Sequence, residues 1–233
     1  MSEPEEEVET PAERFKANLR TILGAVLLAI FIRIVLFEAF EIDGPSMQPS
    51  LLNGDRVLVS KYPFGLFLPT MGEAFLTWGA PEIGDIVIVR SPIDNADIVK
   101  RVIAIAGDSI EVRDAIVYRN DVELVQEELG PCEEGDQLDP DPECRVYEEP
   151  LEDGEVHRLS RSSLSPGHDV ERIVIPEGHV FVMGDHRDRS NDSTNPDLGP
   201  VAIRRIKGRV LFIYASYSPF SGCRGDRLGS SVE

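Results

Sequence analysis

From Thr21 to Phe37 the chain runs seventeen residues with a single charge, Arg33. Wound as a helix, that run rises about 25 Å, slightly short of the ~30 Å hydrocarbon core of a bilayer. Arg33 lies near one end, where its stem can carry the guanidinium to the interface, and residues up to Phe40 complete the span. A cleaved leader fits less well. The first thirteen residues hold six Glu and no base, and no small-x-small site follows the run. A buried helix of a soluble domain is the bland alternative. Arg14, Lys16 and Arg20 precede the run, and no base lies between Phe37 and Arg56. The expected organisation is therefore a cytoplasmic tail at 1–20, a transmembrane helix at 21–40 and an outward-facing domain at 41–233.

That outer domain reads as mainly β. Leu58, Ile86–Val89, Val99–Ile105, Ile110–Val112, Ile116–Tyr118, Ile173–Ile175, Val180–Met183 and Val210–Tyr214 are short runs rich in β-branched residues. Gly, Pro, Asp and Asn bound them, as expected of antiparallel strands. Arg113-Asp114 and Asn120-Asp121 sit where tight turns would close hairpins. Pro200–Ile206 reads as a short helical turn.

Charge separates one segment from the rest. The chain carries a net −19, which argues against nucleic-acid binding. Between Asp121 and Glu155 there are fifteen acids and one base, Arg145. The stretch Leu124–Pro166 is also Pro-rich and weakly periodic. It reads as a loop or smaller subdomain inserted at about 121–170. Cys132 and Cys144 lie inside it with eleven residues between them. Outside the cytoplasm a disulfide there would be worth roughly 3 kcal/mol; two free thiols are the alternative. Cys223 is left over. Neither metal nor cofactor is expected, since the cysteines lack a Cys/His partner pair and the acids of the Gly178–Ser193 stretch miss the EF-hand spacing.

Three stretches carry candidate chemistry. In Ile42-Asp43-Gly44-Pro45-Ser46-Met47-Gln48-Pro49-Ser50-Leu51, prolines stiffen the backbone on both sides of Ser46, which suits an exposed nucleophile. A simple turn is the competing reading. Strand alternation puts Lys100 on one face with Ile98, Val102 and Ala104. An ammonium on an apolar face is costly, so its pKa should fall from ~10.4 and let the neutral amine take a proton from a serine. The competing reading is an edge lysine that reaches solvent. Finally, Met183-Gly184-Asp185-His186-Arg187-Asp188-Arg189-Ser190-Asn191-Asp192-Ser193 is a loop dense in hydrogen-bonding groups. It can orient a catalytic group, or it is a solvated turn. No Gly-x-Ser-x-Gly elbow supports a Ser-His-Asp triad, although His186 has a motif-like setting.

Taken together, these stretches resemble the bacterial type I signal peptidases. An apolar helix leads into Gly-Pro-Ser-Met-Gln-Pro-Ser-Leu. Gly84-Asp85-Ile86-Val87-Ile88-Val89, then Lys100-Arg101-Val102 to Gly107-Asp108, then the Gly184–Ser193 loop follow in the family's order. The match covers about Phe37–Tyr214, apart from the acidic insertion.

The resemblance implies a membrane-bound serine endopeptidase that cleaves signal peptides from exported preproteins. Two antiparallel β-sheet regions would sit on the outer face of the inner membrane. Ser46 would be the nucleophile and Lys100 the general base. Ser190 matches the serine that orients the lysine, and Asp192 a structural acid beside it. Phe40, Ile42, Met47, Leu51, Ile98 and Val99 match substrate-pocket positions. The expected partners are preprotein signal peptides and membrane lipid, with the protein a monomer. Phe64–Leu68 and Phe75–Trp78 are expected to dip into the lipid interface.

There are departures from the family pattern. Gly44 stands where some members carry an oxyanion-hole serine, so the hole would rest on the Ser46 N–H. His186 replaces an asparagine. Thr194 replaces an arginine that would pair with Asp192; Arg187, Arg204 and Arg205 are the candidates to substitute. Two other functions compete. A self-cleaving Ser–Lys protease of the repressor type lacks its preceding DNA-binding domain. A membrane-tethered acidic module that binds cations or a basic protein would not need Ser46 and Lys100 together.

Overall fold

The apolar run does not stay helical to its end. In the computed structural model, which describes residues 11–67, 71–132, 141–151, 154–162 and 168–230, helix α1 spans Pro11–Phe31 and Ile32–Leu36 continues it as a π-helical turn. Phe37–Glu41 is already a strand, β1. The helix expected over 21–40 thus begins earlier, among charged residues, and stops short of Phe40. Phe37, Ala39 and Phe40 pair with Ser60, Leu58 and Val57 on a neighbouring strand, and that ladder competes successfully with helix propagation. Among the described residues no helix is long and apolar enough to cross a membrane.

The strands follow in order: β2 (Asp55–Ser60), β3 (Gly65–Leu66), β4 (Leu76–Thr77), β5 (Ile86–Arg90), β6 (Asp97–Ala104), β7 (Ser109–Arg113), β8 (Ile116–Arg119) and β9 (Val122–Glu123). After them come β10 (Glu127–Pro131), β11 (Arg145–Pro150), β12 (Val156–Arg161), β13 (Val170–Val174), β14 (His179–Met183), β15 (Val201–Ala202), β16 (Ile206–Ser218) and β17 (Gly222–Cys223). The main sheet runs β1-β2-β16-β5-β6-β14-β15, with β17 on β16. A second sheet has the order β13-β7-β8-β9. Each expected run lies in or against a strand, and Pro200–Ile206 contains a single 3-10 turn, Ile203–Arg205.

Strand β5 shows why the main sheet reads as almost continuous hydrophobicity. Ile86 and Ile88 pack into one cluster with Val57, Val59 and Ile213, while Val87 and Val89 pack into another with Val102, Val180 and Val182. Both faces of the strand are covered, so no polar alternation survives. The sheet also curls. Phe40 on β1 and Val99 on β6 pack against the same cluster, although three strands separate β1 from β6 in the sheet.

One turn lies a residue away from its expected place. The β7–β8 hairpin turns at Asp114-Ala115 (φ 50° and 62°), one residue beyond Arg113-Asp114. Arg113 stays in the ladder opposite Ile116. Asn120-Asp121 does form the next turn, both with positive φ. The acidic insertion is partly regular: β10, β11 and β12 make an antiparallel sheet of their own. Its residues 133–140, 152–153 and 163–167 lie outside the described residues. Cys132 and Cys144 are joined, with Cα atoms 5.4 Å apart, and Cys223 is free and exposed.

Candidate active site

Ser46 lies on the turn between β1 and β2. Gly44 supplies φ +96°, a left-handed conformation that favours glycine, and donates its N–H to Asn53 Oδ1 at 3.1 Å. The turn is held further by Gln48 N–H to the Pro45 carbonyl (3.0 Å) and Leu51 N–H to the Met47 carbonyl (2.9 Å). Across the curl, β6 delivers Lys100, whose Nζ stands 2.8 Å from Ser46 Oγ. Lys100 is only 3% exposed. Burial pushes its pKa down from the usual lysine range to about 8, while the Asp192 and Asp185 carboxylates pull it back up.

The loop after β14 closes around this pair. His186 N–H donates to the Ser46 carbonyl at 3.1 Å. Gly184 sits so close that a Cβ there would fall 2.3 Å from Ser190 Oγ and 2.4 Å from the Ser46 carbonyl oxygen. Ser190 Oγ is buried at this junction and has no hydrogen-bond partner among the described residues. Asp192 is buried and accepts from Gly184 N–H (2.9 Å), Thr194 N–H (3.0 Å) and Thr194 Oγ1 (2.8 Å). The His186 ring nitrogens make no bond to Ser46. Burial, then the Arg189 charge, lowers that imidazole to about 4, so it is neutral near pH 7.

The expected pocket residues divide between two clusters. Phe40, Ile42, Met47, Leu51 and Val99 belong to one cluster. Ile98 packs into the cluster on the other side of the sheet, because adjacent residues of β6 point to opposite faces. Ile42, Met47 and Leu51 are buried, whereas Phe40 and Val99 are half-buried.

The model of the family described as "Signal peptidase, peptidase S26" matches residues 15–215. The chain belongs to this signal peptidase family. Signal peptidase I of Pseudomonas aeruginosa is 32% identical over 211 residues, covering 85% of this chain and 72% of its own length. Signal peptidase I of Rickettsia felis is 31% identical over 213 residues, covering 82% and 76%. A crystal structure of a signal peptidase I from Enterococcus faecalis aligns with a TM-score of 0.35 and 26% identity, over 55% of this chain and 95% of that one.

Among the described residues of this signal peptidase no arginine pairs directly with Asp192 in place of the one absent at Thr194, although the Asp192 charge reaches Arg187. Arg204 and Arg205 pair with Glu73, and Arg187 pairs with Glu149. The Thr194 hydroxyl and two backbone N–H groups satisfy Asp192 instead. The largest omission of the sequence reading lies behind Lys100. Arg101 points the other way and forks onto Asp185, Nε to Oδ1 at 2.9 Å and Nη2 to Oδ2 at 2.8 Å, both side chains 1% exposed. It also donates to the Gly84 carbonyl and to Ser50 Oγ. Burial alone would raise the Asp185 pKa, but the guanidinium outweighs it and holds the carboxyl below the usual range.

The insertion joins the same network. His157 Nε2 lies 3.9 Å from Asp185 and 3.8 Å from Glu149, and Glu149 is bonded to buried Arg187. Burial brings the His157 pKa to about 4. Ser160 Oγ donates to the Gln48 carbonyl at 2.9 Å, two residues from Ser46, and Ser160 N–H donates to the Asp185 carbonyl at 2.8 Å. Arg101 was visible as a second charge on an apolar strand. Glu149 was hidden among fifteen acids.

Proposed function

We propose that this protein is a membrane-bound serine endopeptidase that removes signal peptides from exported preproteins, with Ser46 as nucleophile and Lys100 as general base. The 2.8 Å approach of a buried Lys100 to Ser46 carries this reading. With the amine neutral, the Ser46 O–H donates to Nζ. Oγ then attacks the scissile carbonyl carbon as the proton passes to Lys100, and the oxyanion meets the Ser46 backbone N–H. The C–N bond breaks, the Lys100 ammonium protonates the leaving amine, and an ester on Ser46 remains. Water hydrolyses that ester, with Lys100 again taking the proton. Asp192 acts on the lysine through its charge. The Ser190 hydroxyl, expected to orient the lysine, makes no hydrogen bond to it, and its place here is to line the buried junction beside the Ser46 carbonyl.

The substrate strand would lie between β1 and β6, with alternate side chains turned toward the apolar cluster. Half-buried Phe40 and Val99 leave shallow space, which selects Ala or a similar residue immediately before the cut and two positions earlier. The membrane seat rests on α1, where Phe15, Leu19, Ile22, Leu23, Val26, Leu27 and Phe31 are all exposed. Lipid would cover them, with Arg14, Lys16 and Arg20 on the cytoplasmic side and the catalytic domain on the outer face of the inner membrane. Thr21–Leu36 spans about 24 Å as helix, and Arg20 and Arg33 can snorkel to make up the remainder. Phe75, Leu76 and Trp78 are exposed, as residues that dip into the lipid interface would need to be. Phe64 and Phe67 are core residues and do not.

The test is proteolysis of a preprotein in detergent. Wild type should release the signal peptide and Ser46→Ala should not. Equal cleavage by both proteins, or none by wild type, overturns the reading.

A further inference from the structure

The chain holds only four lysines, and Lys207 is 6% exposed. Its Nζ lies 2.9 Å from Asp97 Oδ2 on β6 and 3.8 Å from Glu38 Oε1 on β1. It also lies over two aromatic rings, 4.8 Å from the centroid of Phe40 and 5.7 Å from that of Phe67. Each carboxylate has a second cation: Lys61 reaches Glu38 at 3.1 Å, and Arg90 reaches Asp97 at 3.2 Å. Alternating charges therefore run from β1 across the main sheet to β6, with Lys207 of β16 at the centre.

Among the described residues, the two strands joined in this way each have a free edge. β1 pairs with β2 alone. β6 pairs with β5 from Asp97 to Arg101, but β14 meets it only from Arg101 onward. Asp97–Lys100 therefore offers backbone on one side, beside Ser46. A peptide strand lying between two edges needs about 4.8 Å to each. Their separation thus decides whether the strand is gripped and how deep its side chains can sink. A buried ammonium is costly to desolvate, and an apolar side chain would fill the same space without that cost. What the ion pair adds is a fixed distance between two carboxylates on opposite walls.

We infer that Lys207 is a positioning residue that sets the width of the substrate cleft by tying β1 to β6, and thereby enforces the preference for small residues. This rests on the serine peptidase reading above. Lys207 lies beside Phe40, at the part of the cleft away from the Ser46–Lys100 pair. Its influence should therefore fall mainly on the substrate position two residues before the one at the cut.

The experiment compares kcat/KM for substrates with Ala or Leu at that position. In Lys207→Met the ratio of Ala to Leu should drop about tenfold, the discrimination one or two methylenes provide. Turnover of the Ala substrate should stay within about threefold, since the reacting groups are untouched. Lys207→Arg should retain the wild-type ratio. Asp97→Asn cuts the same tie at a partly exposed carboxylate and should reproduce the loss even if Lys207→Met does not fold. An unchanged ratio in Asp97→Asn, or a uniform fall for both substrates, overturns the assignment. Cleavage that persists in Ser46→Ala would instead sink the peptidase reading, so the two failures are distinguishable.

Discussion

Lys100 Nζ and Ser46 Oγ stand 2.8 Å apart although fifty-four positions separate them in the chain. The turn after β1 and the middle of β6 meet because the main sheet curls. Ser46→Ala and Lys100→Ala should each lower kcat by at least about 10²-fold with the fold intact. The double variant should be no worse than either single one, because the two act as a unit. Near-normal turnover in Lys100→Ala, measured on a purified preprotein, would remove lysine from the role of base.

The pH dependence follows from burial. Lys100 must be neutral to accept a proton, so kcat/KM should rise with pH through about 8 and level off above it. His186 titrates at about 4, so the same limb should persist in His186→Ala. In Asp192→Asn a carboxylate that favours the ammonium is gone. The limb should then move to lower pH, and a shift upward would contradict the assigned charge interaction.

Glu149→Gln should destabilise strongly. Arg187 is buried and would lose its counter-ion, which typically costs about 3–5 kcal/mol. Urea unfolding of the intact protein measures this directly. A loss below about 1 kcal/mol would mean that water reaches the guanidinium after all.

The disulfide can be checked by mass spectrometry on protein kept from reductant. A peptide linking Cys132 to Cys144 should appear, with Cys223 alkylated. Replacing both with serine should lower stability by roughly 3 kcal/mol while leaving the dyad in place. Recovery of both as free alkylated thiols would exclude the bridge.

The strands were legible wherever β-branched residues ran between turn residues, as at Ile86–Val89, because both faces of β5 meet a hydrophobic cluster. Phe37–Glu41 was not legible. An apolar run beside a helix carries no mark of where the helix gives way to a ladder, and only pairing with β2 decides it. In the same way Lys100 announced itself as a charge on an apolar strand, whereas Ser160 did not. A serine in an acidic segment looks solvated until β12 brings its hydroxyl to the Gln48 carbonyl. Thr194 read as a missing arginine, because sequence comparison counts charges and a carboxylate can be satisfied by N–H and O–H groups alone.

The place of β16 in the main sheet bears on the timing of synthesis. It lies between β2 and β5, yet it follows both of them in the chain by more than a hundred residues. Ser46 and Lys100 leave the ribosome first, and the strand that brings their two halves of the sheet into one surface follows more than a hundred residues later. Contacts of such long range close slowly and late. A growing chain therefore carries both side chains before their 2.8 Å approach can form, and on the proposed mechanism it gains the power to cut only once β16 has joined the sheet.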